Sequence, residues 1–228
     1  MRAGAGGVDL TSCQNVRDGR GSAYLLRRRA LGQTARAAPG YGAGVTDTPH
    51  EPTDDYRPAT PDDKDWTWVL TRRCDECGFA GTDVAGPDVA ATIHDLVPRW
   101  RAALNRLDVR ERPEPGTWSA LEYGAHVRDV HRVFEERLRL MLEEDAPQFP
   151  NWDQDATAVA ERYDLQDPGR VADELADAAA ALAARFATVR PDQWVRPGLR
   201  SNGSSFTVAT LGGYFLHDVV HHLHDVRA

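Results

Sequence analysis

Cysteine is scarce in this chain: Cys13, Cys74 and Cys77 are the only three in 228 residues. They are too few and too unevenly placed to frame a disulfide-stapled secreted fold, which agrees with a reducing compartment. No stretch approaches the roughly 20 consecutive apolar residues of a membrane-spanning helix, and the first residues lack the apolar core of a secretory signal. A cytoplasmic protein with no membrane partner is expected. Positive charge is also in deficit, with 27 Lys plus Arg against 35 Asp plus Glu and a net charge of −8. Duplex binding requires a basic face, so nucleic acid is not an expected partner.

What charge there is falls unevenly. Residues 1–50 carry +4 and residues 51–228 carry −12. The basic part also holds nine of the nineteen glycines and no sustained apolar period, so it cannot bury enough surface to offset the entropy of ordering. Residues 1–60 are therefore expected to form a disordered basic Gly/Arg-rich tail, and 61–228 the folded domain. Arg27, Arg28 and Arg29 read as a solvated run. Gly40-Tyr41-Gly42-Ala43-Gly44 neither follows a buried strand nor opens a helix, as a phosphate-cradling loop must. The tail is a candidate for an over-extended gene start.

From Asp65 onward the pattern changes. Trp66 to Leu70 alternates briefly, and Cys74-Asp75-Glu76-Cys77-Gly78-Phe79 closes a short lead-in segment. Four helical stretches follow. Val89, Ile93, Leu96, Val97, Trp100, Leu104 and Leu107 predict a helix over 88–107, kinked or divided at Pro98. Ser119 and Glu122 form a capping-box pattern that opens a second helix ending near Asp145 and Pro147. After a short helical piece near Val159, Asp167-Pro168 gives a cap and a first-position proline for a third, with Val171, Leu175, Ala178, Leu182 and Phe186 along one face. The fourth runs from Phe206 or Thr207 to Val226. Gly212 and Gly213 weaken it, so something else, such as close helix packing, should compensate. Four long helices and no convincing sheet predict an all-α bundle.

Histidine carries the chemistry. Tyr214, His217, His221 and His224 lie along one face of the last helix, with His222 pointing elsewhere. Imidazoles one turn apart can aim at one ion. A third ligand is needed, and His126 shares the inward stripe of Val130 and Phe134 on the second helix. A lone histidine there is ordinarily a hydrogen-bonded core residue. Joined to an i, i+4 pair on a facing helix, it makes a three-imidazole site for a divalent transition metal with positions left open. His131 falls on a different face and reads as a surface or supporting residue.

These residues carry a resemblance. Thr117 to Asp129 together with Leu216 to His222 resembles the DinB-like superfamily of metal-binding four-helix bundles, which includes thiol-dependent transferases and isomerases. An actinobacterial branch with a Cys-x-x-Cys-Gly-Phe segment and an Asn-Trp-Asp-Gln-Asp loop, here Asn151 to Asp155, is particularly similar. The resemblance covers about 65–227 and includes relatives of mycothiol-dependent maleylpyruvate isomerase and bacillithiol transferase. It implies metal ligation by His126, His217 and His221, and a metal that lowers the pKa of a cofactor thiol such as mycothiol. No Ser or Cys triad would then be needed.

Other residues divide between plain and functional roles. Cys74 and Cys77 lack a second pair for a thiolate zinc site, so they read as structural thiols, with a redox dithiol or a metal contact as alternatives. Trp152 and Asp153 rim a cavity or cap the following helix. Asp129 and Asp218 accept the second N–H of a ligating imidazole or face solvent. Arg200 meets a substrate carboxylate or is solvated, and Tyr214 borders the same pocket. The expected protein is a metal-dependent S-transferase, taking zinc before nickel, iron or manganese, with a small-molecule thiol and an electrophile as partners. The alternative is a non-catalytic, stress-associated metal-binding bundle acting through protein partners. An S-adenosylmethionine methyltransferase lacks its strand-glycine-helix signature. Pairing into a homodimer would require an apolar patch that the sequence does not locate.

Overall fold

The computed structural model describes residues 56–61 and 64–228. Most of the expected tail, with Cys13 and residues 27–29 and 40–44, lies outside the described residues. The packed domain reaches back to Tyr56. The Thr60 N–H donates to Gly116 O at 2.9 Å, and Tyr56 lies against the Arg112 guanidinium, 5.4 Å from its ring centroid.

Five helices follow the lead-in segment: α1 (Val89–Leu104), α2 (Ala120–Glu143), α3 (Gln154–Ala160), α4 (Pro168–Ala187) and α5 (Val208–Asp225). Their starts are local chemistry. Ser119 Oγ accepts from the Glu122 N–H at 3.3 Å and Glu122 Oε2 from the Ser119 N–H at 2.9 Å, completing the capping box of α2. Asp167 Oδ1 accepts from Arg170 N at 2.8 Å ahead of Pro168, and Thr207 with Thr210 forms a second box at α5. Helix α1 runs continuously through Pro98 and stops at Leu104, so Leu107 is fully exposed.

The four long helices form the bundle, α2 lying against α4 and α5, and α1 against α4 and α5. Trp100, Leu121, Leu138, Leu175, Leu182 and Phe215 fill its centre. Burial of each such side chain contributes about 1.5–3 kcal/mol. The stripe expected on the third long helix is buried throughout.

The fold is mostly helical, as expected, with one small sheet that the sequence did not announce. Strand β1 (Gln148–Phe149) pairs in parallel with β2 (Pro197–Arg200), and β2 pairs antiparallel with β3 (Ser205–Thr207). It ties the segment after α2 to the hairpin before α5. Residues 151–153 and Arg200 thereby border one cavity with His217, His221 and His222 of α5. Ser201 Oγ accepts from Asn151 N at 2.8 Å, reinforcing that tie.

The lead-in segment packs on α5. Trp66–Leu70 is a 3-10 turn capped by Asp65, with Val69 fully buried. Gly213 explains the closeness: a Cβ there would lie 2.3 Å from Gly81 O. A Cβ on Gly212 would press Val89 and Phe186 on the bundle side. Both glycines that weaken α5 are thus placed at tight contacts.

Candidate metal centre

Helix α5 presents two i, i+4 pairs offset by one residue, or about 100° around the helix. His217 and His221 face the lead-in segment. Asp218 and His222 face α2. The described residues accordingly gather their ligand-type atoms into two groups, each within 4.8 Å: His126, Asp218 and His222, and Cys74, Cys77, His217 and His221. The expected trio of His126, His217 and His221 is not brought to one point. His126 meets the neighbouring face of α5, because helix α2 crosses that face and the Cys segment covers the other.

In the first group Asp218 Oδ1 lies 3.4 Å from His126 Nε2 and 3.7 Å from His222 Nε2. Ligand atoms around a tetrahedral ion at about 2.0–2.1 Å stand roughly 3.3 Å apart, so this spacing suits one small ion. The opposite nitrogen of His222, Nδ1, lies 2.8 Å from Asp225 Oδ2 and donates to it. That bond holds the ring with Nε2 turned toward Asp218, the orientation a metal ligand needs. His126 is wholly buried, and its ring stacks on Trp152 at 5.4 Å between centroids and 6° between planes.

Both ring nitrogens of His126, Asp218 Oδ1 and His217 Nε2 are buried without a hydrogen-bond partner among the described residues. Such orphaned atoms are costly unless something else satisfies them. Burial lowers the His126 pKa and keeps the ring neutral, the ligating form. Burial pushes the Asp218 carboxyl up, but the neighbouring imidazoles of His126, His222 and His217 outweigh it and bring it to about 2. The donor set therefore fits a divalent metal: two imidazoles and one carboxylate.

The group opens on a cavity of about 640 Å³, within the range of small-molecule sites. Asp218, His222, Trp118, Tyr123, Trp152 and Arg200 are on its wall. Among the described residues lining it there is no cysteine or serine.

The remaining expected residues divide. Trp152 and Asp153 border the cavity and also serve locally. Trp152 Nε1–H donates to Thr157 Oγ1 at 2.8 Å, and Asp153 caps α3 through Ala156 N at 2.9 Å. Arg200 and Tyr214 line the cavity together, 3.4 Å apart at Nη1 and Oη. Asp129 instead accepts from Tyr163 Oη at 2.6 Å and pairs with Arg128 and Arg132. His224 is exposed. His131 is buried rather than superficial, its Nδ1–H donating to Val127 O at 2.7 Å. Sequence reasoning passed over His222 and Asp225. The spacing Asp218-x-x-x-His222 repeats that of His217 and His221, and was the signal that could have found His222.

A helical bundle with imidazoles and a carboxylate around buried, unsatisfied atoms has the make-up of a metal-site bundle protein. The sequence profile of the DinB superfamily matches residues 108–226, and the chain belongs to that superfamily. The fold is similar to YfiT from Bacillus subtilis, described as a probable metal-dependent hydrolase with an unusual four-helix bundle topology. The TM-score is 0.56 over 61% of this chain and 82% of YfiT, at 19% identity, a likeness of fold. No curated protein matches the chain. Among the described residues no helix is long and apolar enough to cross a membrane.

Proposed function

We propose that the protein is a metal-dependent enzyme that joins a low-molecular-weight thiol to a small electrophile, with His126, Asp218 and His222 as the metal ligands. The observation that carries this reading is the convergence of three ligand atoms, two of them orphaned and buried, at the wall of a cavity without a cysteine or serine of its own. Since the described wall offers no such nucleophile, the attacking group arrives with the ligand. A bound divalent ion supplies the charge that favours the thiolate of such a ligand at neutral pH.

The chain's own residues do the rest. Asp225 fixes the ring of His222, and Trp152 fixes that of His126 while covering it. The Arg200 guanidinium gives the cavity a cationic wall beside Tyr214, suited to an anionic group on cofactor or substrate. Mycothiol is the thiol that the family resemblance suggests, zinc the metal that best suits the donors, and the cytoplasm the compartment in which such a thiol stays reduced. Detoxification is the role such chemistry serves.

Turnover of mycothiol with a chromogenic haloaromatic electrophile, by metal-loaded wild type and His126→Ala, tests the proposal. The expected result is thiol-dependent turnover in the wild type that falls at least a hundredfold in the variant. Ester or amide cleavage without thiol would make the protein a hydrolase instead. A wild type that binds no thiol and is as inert as the variant would leave a non-catalytic bundle.

A further inference from the structure

The second group lies about 100° around α5 from the first and borders the same cavity through His217 and His221, and its two cysteines precede the part of the chain that matches the superfamily. We infer that Cys74, Cys77, His217 and His221 form a separate, closed Cys2His2 zinc site that fastens the lead-in segment to α5. None of its ligands belongs to the His126 centre, so the inference stands apart from the functional reading above.

The backbone is already shaped for it. The Cys74 N–H donates to Phe79 O at 2.8 Å and the Gly78 N–H to Cys74 O at 2.9 Å. Gly78 at φ +75° turns the chain back on itself, a conformation that glycine adopts without steric cost. This tight turn brings both sulfurs to the two histidines, all four ligand atoms lying within 4.8 Å of one another.

The distances suit zinc. Cys74 Sγ stands 3.6 Å from His221 Nδ1. Around a tetrahedral ion with bonds of about 2.3 Å to sulfur and about 2.0–2.1 Å to nitrogen, that separation would be about 3.6 Å. The other nitrogen of His221, Nε2, faces Glu76 Oε2 at 3.5 Å and Asp225 Oδ1 at 3.9 Å, the carboxylate backing usual for a ligating imidazole. His217 is 3% exposed and its Nε2 has no hydrogen-bond partner among the described residues. Trp66 covers the pair, its ring 5.3 Å from His217 and 4.8 Å from His221.

Cys74 is buried, and neither it nor Cys77 is in a disulfide. Two thiols give up their protons to solvent as the ion binds, and four protein ligands leave no position open for substrate. The site is therefore structural, replacing the second cysteine pair of a zinc ribbon with two histidines of a bundle helix.

The test uses untagged full-length protein, stripped of metal and reloaded with cobalt(II). The wild type is expected to bind two ions per chain and to show the near-ultraviolet absorption of a cobalt–thiolate bond. Cys74→Ser and Cys77→Ser should each lose that band and one ion, while Asp218→Asn loses an ion and keeps the band. Absence of the band in the wild type, or its survival in both cysteine variants, would overturn the inference.

Should the cysteine variants fail to fold, alkylation of native zinc-loaded protein, mapped to Cys74 and Cys77, replaces them. Protection that a chelator removes supports the site. Equal labelling with and without chelator, or recovery of a Cys74–Cys77 disulfide, overturns it. Loss of the His126 centre alone would leave the thiolate band intact, so the two readings fail separately.

Discussion

His222 donates through Nδ1 to Asp225 Oδ2 at 2.8 Å, and that bond turns its Nε2 toward Asp218 Oδ1. A carboxylate behind a ligand imidazole both orients the ring and raises its basicity. Asp225→Asn keeps the shape but loses the charge. Metal affinity of the His126 centre should fall about 10–100-fold, read by competition with a chromogenic chelator. Unchanged affinity would remove Asp225 from the account.

Gly213 tests how the lead-in segment is seated. An added Cβ would meet the backbone oxygen of Gly81, which has no side-chain freedom with which to yield. Overpacking of this kind costs about 1–3 kcal/mol, against about 1 kcal/mol gained by alanine over glycine within a helix. The clash wins. Gly213→Ala should lower the urea midpoint of unfolding and weaken cobalt–thiolate absorption, whereas a stabilised protein would show that the contact is not tight.

The pH dependence of folding should reflect His131. Burial lowers its pKa from an ordinary 6.5 to about 4, although the Val127 carbonyl favours its charged form. The unfolded chain therefore takes up the proton first as the solution is acidified. Stability is full above about pH 6.5 and is lost as pH falls from there toward about 4, by an amount on the order of 3 kcal/mol. His131→Asn can preserve the donor to Val127 without titrating. Urea unfolding at pH 7.5 and pH 5 should show a smaller loss in the variant than in the wild type; equal losses would assign the dependence to other groups.

Helix starts were the most legible part of the sequence, since Ser119 with Glu122 and Asp167 with Pro168 act within one turn and need no tertiary information. The end of α1 was not legible. Leu107 continues the three-and-four spacing, yet the helix stops at Leu104 and leaves it in solvent. Strands of two to four residues carry too little alternation to be seen, so β1, β2 and β3 went unread.

For the site, residue types were legible and the choice of face was not. His217 with His221 and Asp218 with His222 share one spacing. Only packing decides which pair meets His126 and which meets the cysteines. The Cys-x-x-Cys motif looked half complete because its partners come from a helix 140 residues and more further along the chain.

Elemental analysis of untagged protein, comparing wild type with His126→Gln, reads directly whether the His126 centre holds an ion. Circular dichroism would confirm that the variant keeps its helices. Metal content should fall by one ion per chain while any cobalt–thiolate absorption is retained. A folded variant with the same metal content as the wild type would contradict it.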